Sequence, residues 1–327
     1  MNVVIKCFLD DFILLKFRYY RRIFYALNNK KKVMSIIIDG MDQNHCRIPY
    51  YGNQHKFSSP LDQGITGVKE HGFGLTLYRT IGTVKNKSSD FTIYCILSQL
   101  ESWFIRNRCY PEELFIQIDG GAENANKNLL SMLELIVIRK MVRVIHSTRL
   151  PTGHTHEDID ACFALIWSCS RDKPCLTLKE YKDNIINNFA NSKIPTTMKD
   201  VYVIPAYGAL IEKCTDSRLA HLHKGVHTQH CWRFEAVLPS PKFPQGCKTT
   251  YKAYSSDKVV EFVSKPVSQC HSAIGQYTGL EPMTVYCPWY PNKNGVEGNS
   301  YLVYIFVCLI KIFFSFIFRH VFIEDTS

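Results

Sequence analysis

Three stretches carry acids where an apolar run ends. VMSIIIDGMDQ runs into Asp39, LFIQIDGGAENANKN runs into Asp119, and GHTHEDID sets Glu157, Asp158 and Asp160 within four positions. Carboxylates that converge from two strand ends and a helix start are suited to divalent metal. Hard oxygen ligands select Mg2+ or Mn2+ over softer ions. Two such ions can activate a water or a 3′-hydroxyl and stabilise both oxygens of an in-line phosphodiester displacement. The expected assignment puts Asp39 between the metals, Asp119 on one of them, and Asp160 as the acid from the helix, with Glu157 and Asp158 competing for that last role. Glu157 and Asp160 are i and i+3 and share a helix face, whereas Asp158 points elsewhere. His154 is placed to contact the scissile phosphate or orient a water. Asn124 and Asn126, just past Asp119, are placed to shape the metal loop. Each acid alone is also what a strand-end turn or a helix first turn needs for capping; it is their joint placement that points to a site.

The same letters admit a second chemistry. His154, His156 and Asp158 spell HxHxD, most of the HxHxDH pattern of zinc hydrolases. Ile159 stands where the last His belongs. His221, His223, His227 and His230 cluster too irregularly to replace it.

The elements needed to position these residues can be read from pattern. A basic amphipathic helix, FRYYRRIFYALNN, leads in and ends in a lysine run that is either a solvated end or a phosphate contact. Met34 to Asp39 is a continuous apolar run, as in a buried central strand. Residues 44–69 hold Pro49, Pro60, Gly52, Gly64 and Gly67 and read as a loop leading into a hairpin; Gly72 to Gly82 alternates as a strand. Ser88 to Asn107 reads as a helix capped by Ser89 or Asp90. Leu114 to Ile118 is the next strand, Asn126 to Lys140 a helix, Val142 to His146 a short strand, and a third helix opens on the acidic stretch. Leu176 to Phe189 reads as a helix and Val201 to Glu212 as strand-like. His227 to Leu238 and Thr249 to Val263 read as strands of a small β-rich region. The order is that of an α/β, ribonuclease H-like mixed sheet flanked by helices. The chain divides into a lead-in (1–32), the core (33–173), a helix plus small β-rich region (174–299) and an apolar tail (300–327). Within that tail, 301–318 is long enough to span a bilayer despite Lys311, and is the one expected membrane contact; a buried core element or a non-native tail are the alternatives.

Composition bounds the partners. Lys plus Arg number 39 against 29 for Asp plus Glu, a formal charge of +10, which suits a polyanion. Thirteen cysteines are scattered without a CxxC and read as reduced thiols rather than a disulfide framework.

IIDGMDQ, IDGGAENANKN and LPTGHTHEDIDACF together resemble the uncharacterised domains of transposon-derived proteins, similar to DDE/DDD transposases and integrases with a ribonuclease H-like core. The resemblance spans about 18–170 and extends more weakly to about 291. Its GH[ST]-x4-D pattern falls on Gly153, His154, Thr155 and Asp160, and its strand-end acids on Asp39 and Asp119. It implies a DNA partner, Mg2+ or Mn2+, a nuclear location and an assembly that includes homo-oligomers. It also implies an amino-terminal DNA-binding region, for which the chain leaves no room before its first strand. A domesticated, non-catalytic nucleic-acid-binding or scaffold protein is the alternative.

Overall fold

The computed structural model describes residues 16–262, apart from 49–60, 83, 85–86, 122–123, 125, 150–157, 172–174, 193, 212–229, 244–245 and 253–259. A single nine-stranded sheet runs through them. Its strands are β1 (Val33–Gly40), β2 (Gln63–Glu70), β3 (Gly74–Ile81), β4 (Glu113–Ile118), β5 (Val144–Arg149), β6 (Thr196–Val201), β7 (Cys231–Ala236), β8 (Cys247–Lys252) and β9 (Val260–Phe262). The spatial order is β6-β3-β2-β1-β4-β5-β7-β8-β9. β1, β2 and β3 form an antiparallel meander, while β4 and β5 continue parallel to β1. The helices are α1 (16–28), α2 (Ser89–Asn107), α3 (Lys127–Ile138), α4 (Asp158–Arg171) and α5 (Leu178–Asn191).

The period-2 alternation of the strands sorts the helices to two faces. Met34, Ile36 and Ile38 of β1, with Leu114, Ile116 and Ile118 of β4, join the core under α2 and α3. Ile37, Ile65, Leu75 and Leu77 face the other way and pack with Ile159, Cys162, Phe163 and Ile166 of α4 and Tyr181, Ile185 and Phe189 of α5. α1 lies on this second face, where Ala26 meets Val33 and Phe115. β1 is buried on both faces, which explains its continuous apolar run.

Local signals fix the helix ends. The Ser88 hydroxyl accepts from the Phe91 amide (3.2 Å), and α2 stops where Arg108 turns left-handed at φ 60°. Asn126 caps α3, and Thr177 with Glu180 forms a reciprocal capping box on α5.

Several expectations need correction. The N-cap of α2 is Ser88, one residue before the pair expected. Part of the loop expected over 44–69 is β2, a central strand. Its Gly67 resembles a breaker but serves packing. A Cβ on Gly67 would meet Phe163 Cε1 at 3.0 Å and Ile159 Cδ1 at 3.2 Å, so α4 can press on β2 only over a bare backbone. We expect Gly67→Val to lift α4 from the sheet and cost about 1–3 kcal/mol, as overpacking does, measured as a lower urea midpoint. The strand expected at 201–212 ends instead at Val201, and 207–211 is a short helical turn. β5 starts two residues later and runs three further than read. Finally, β7, β8 and β9 do not form a separate small sheet; they extend the main one beyond β5, and β6 completes the opposite edge beside β3.

No helix among the described residues is long and apolar enough to cross a membrane. The apolar stretch 301–318 lies outside them. Among the described cysteines, Cys46, Cys95, Cys162, Cys175, Cys231 and Cys247 are buried free thiols, and Cys109 is a partly exposed one.

Candidate functional site

The β1–β4 ladder pairs Ile36 with Ile116 and Ile38 with Ile118 in parallel register. Carried one residue further, that register sets Asp39 beside Asp119, on strands about 4.8 Å apart. Both acids follow an apolar residue that faces α2 and α3, so alternation turns both carboxylates to the face that carries α4. Both are partly exposed at the strand ends. Asp39 Oδ1 accepts from the Gly40 amide (2.7 Å). Asp119 Oδ1 accepts from the Gly121 amide (3.2 Å) and from the Asn124 side chain. Asn124 is itself buried and its oxygen accepts from the Thr92 hydroxyl of α2 (3.1 Å). Asn124 therefore links the Asp119 carboxylate to α2.

The third element arrives beside this pair. Asp39 is paired with Gly67 across the β1–β2 ladder, and Gly67 is where Ile159 and Phe163 press down. Asp160 stands in that same first turn of α4. Glu157 and His154 lie outside the described residues, as does His156. Among the described residues, no three His, Cys, Asp or Glu side chains come together closely enough to hold a metal ion. Asp39 and Asp119 thus follow directly on the paired ends of adjacent strands, and Asp160 stands in a helix on the same side of the sheet.

Asp158 has a different task. Its carboxylate accepts from the Tyr19 hydroxyl (2.7 Å), pairs with Lys69 Nζ (2.7 Å) and lies 3.4 Å from His71 Nε2. His71 Nδ1 in turn sits 2.9 Å from the Ser35 hydroxyl. Burial alone would raise the Asp158 pKa; the contacts from His71, Lys69 and Tyr19 outweigh it and hold the group well below the usual carboxylate range. The line Ser35–His71–Asp158 has the residue types of a nucleophilic triad. Ser35 and His71 are only 3% and 6% exposed, so no substrate reaches the hydroxyl, and the line is a structural tie. It joins the start of α4 to α1, to the end of β2 and to β1. This commitment also leaves the HxHxD reading with an Asp already occupied by a cation and a phenol.

Lys69 and His71 were not singled out from sequence. The signal was there: in VKEHG, Lys69 near the end of β2 and His71 just past it are i and i+2, both reaching Asp158 at the acid-rich start of α4.

The same sheet face carries a second polar feature. His146 stacks on Phe115 (4.9 Å) between Arg22 and Arg233. Burial, then the charges of Arg22 and Arg233, pushes its pKa down to about 3. The sign is that of a histidine kept neutral by the fold. In the unfolded chain it takes up a proton below pH about 6.5, so stability declines as pH falls from about 6.5 towards 3, by at most about 1.4 kcal/mol per pH unit. Urea unfolding at pH 7 and pH 5 should show that decline, and His146→Phe should reduce it.

No curated protein matches the chain. A family model described as "Domain of unknown function (DUF7869)" matches residues 53–240, more than half of the chain. The match takes in Asp119, Asp160 and the sheet from β2 to β7, and begins after Asp39. On that span the chain belongs to this family of domains of unknown function.

Proposed function

We propose that this chain is a transposase- or integrase-like domain with a ribonuclease H-like core, acting on DNA by metal-dependent phosphodiester cleavage or strand transfer. The observation that carries the reading is the β1–β4 register, which pairs Ile38 with Ile118 immediately before Asp39 and Asp119. Support also comes from the central order β3-β2-β1-β4-β5, an antiparallel meander followed by two parallel strands.

The donor chemistry fits a hard divalent ion. Two carboxylates stand at adjacent strand ends, both partly exposed. Asp39 and Asp119 would hold Mg2+ or Mn2+, with a further ligand from the start of α4, where Asp160 is the described candidate and Glu157 the other. Such ions, when bound, activate the attacking oxygen and stabilise the leaving one. The chain's own residues do the positioning. Asn124 and Gly121 orient the Asp119 carboxylate, Gly40 orients that of Asp39, and the Asp158 tie holds α4 against β2. His154 would meet the scissile phosphate. The setting would be nuclear, and the acting form a monomer or a homo-oligomer.

The test is cleavage or strand transfer on labelled DNA with Mg2+ or Mn2+. Turnover that EDTA stops supports the reading. Salt-sensitive DNA binding without turnover would favour the domesticated, non-catalytic alternative instead.

A further inference from the structure

A groove of about 740 Å3 lies between α1 and the face of β5, β7 and β8. The ladders line up its floor. Phe115 pairs with His146, His146 with Arg233, and Arg233 with Thr250, so one row crosses four strands on a single face. α1 supplies Arg18, Arg21 and Arg22 along one wall, and β8 supplies Lys248 and Lys252 along the other. With Arg233, six cations line the groove against one acid, Glu235, which pairs with Arg233 at 3.0 Å.

The wall on α1 also carries an aromatic, Tyr25, which is 43% exposed. Tyr25 stands edge-on to Phe115 (6.2 Å) at the lip of the groove. Exposed aromatics beside a cationic trough give stacking faces for unpaired bases, and a duplex with its bases stacked inside cannot use them.

We infer that this groove binds single-stranded nucleic acid, with the sugar–phosphate backbone along the arginines and lysines and a base stacked on Tyr25. Phe115 is four residues before Asp119 on β4 and turns to the same face, about 13 Å along the strand. The inference shares with the proposed function only its nucleic-acid partner, and requires neither metal nor turnover.

The test uses the full chain in EDTA, with fluorescence anisotropy of a labelled single-stranded 20-mer of mixed sequence, as DNA and as RNA, and of the matching duplex. Single strand should bind more tightly than duplex, and the two sugars tell DNA from RNA. Arg21→Glu with Arg233→Glu, both at exposed positions, should weaken binding at least tenfold. The salt slope should flatten by about 0.7 for each phosphate that is no longer neutralised. Tyr25→Ala should cost about fivefold or more on single strand and little on duplex. Lys140→Glu with Lys179→Glu, both exposed, matches the charge change away from the groove and should stay near the parent. Thermal unfolding confirms that each variant is folded. Duplex bound as tightly as single strand, or equal weakening by the groove and control pairs, would overturn the inference. Because binding is read without divalent ions, its failure is distinct from failure of the cleavage reading.

Discussion

Asp119→Asn should abolish metal-dependent cleavage, a loss on the order of a thousandfold or more in rate, with little change in fold. The substitution removes the negative charge and keeps the shape. It also keeps the local hydrogen bonds, since an amide oxygen at this position still accepts from Gly121 and from Asn124. Asp119→Ala is the blunter variant. It would leave the buried Asn124 amide without that acceptor, which costs about 1–3 kcal/mol, so lost activity there would mix chemistry with instability. Asn separates them. Rates with Mg2+ and with Mn2+, beside an unfolding curve, make the check: full activity in a folded Asp119→Asn chain would remove Asp119 from the chemistry.

Asp158→Ala should be the most destabilising single change around the site. It leaves Lys69, His71 and Tyr19, gathered around one carboxylate, without their common partner. Breaking a largely buried pair on one side is costly, and because Asp158 keeps about a quarter of its side chain exposed we expect about 2–3 kcal/mol. For a chain of this size that lowers the melting temperature by about 3–5 °C. The pH dependence follows from the depressed pKa. The stabilisation is complete above the unfolded value near 3.9 and is lost as pH falls below it. The parent should therefore lose stability on acidification below about pH 4 more steeply than Asp158→Ala does. Equal stability of the two chains at pH 7 would show that α4 is held by its apolar face alone.

The acid-bearing strands were legible because they are buried on both faces: Ile36, Ile37 and Ile38 make a run with no other good reading, and Asp39 closes it. Ser88 and Asn126 were legible to within a residue because capping is local chemistry. β2 was not. Gly64 and Gly67 look like turn residues to any local rule, and only the approach of Phe163, almost a hundred positions away, gives Gly67 its meaning. β7 and β8 were legible as strands but not as part of the main sheet, since pairing with β5 is decided across more than eighty residues. Within the site, the separate role of Asp158 follows from helix spacing, which already set it apart from Glu157 and Asp160. Its partners Tyr19, Lys69 and His71 come from three distant segments and leave no joint mark on the sequence. The groove between α1 and β8 is of the same kind: its arginines are plain in FRYYRR, but the strands that form its other wall are over two hundred positions downstream.

The most direct test is metal binding by isothermal titration calorimetry. Mg2+ and Mn2+ are titrated into the chain and into the double variant Asp39→Asn, Asp119→Asn, each with and without a DNA oligonucleotide. The paired acids predict saturable binding to the parent, strongest with DNA present, and none to the double variant. Equal binding by both chains, or no binding by the parent even with DNA, would contradict a metal site at the ends of β1 and β4.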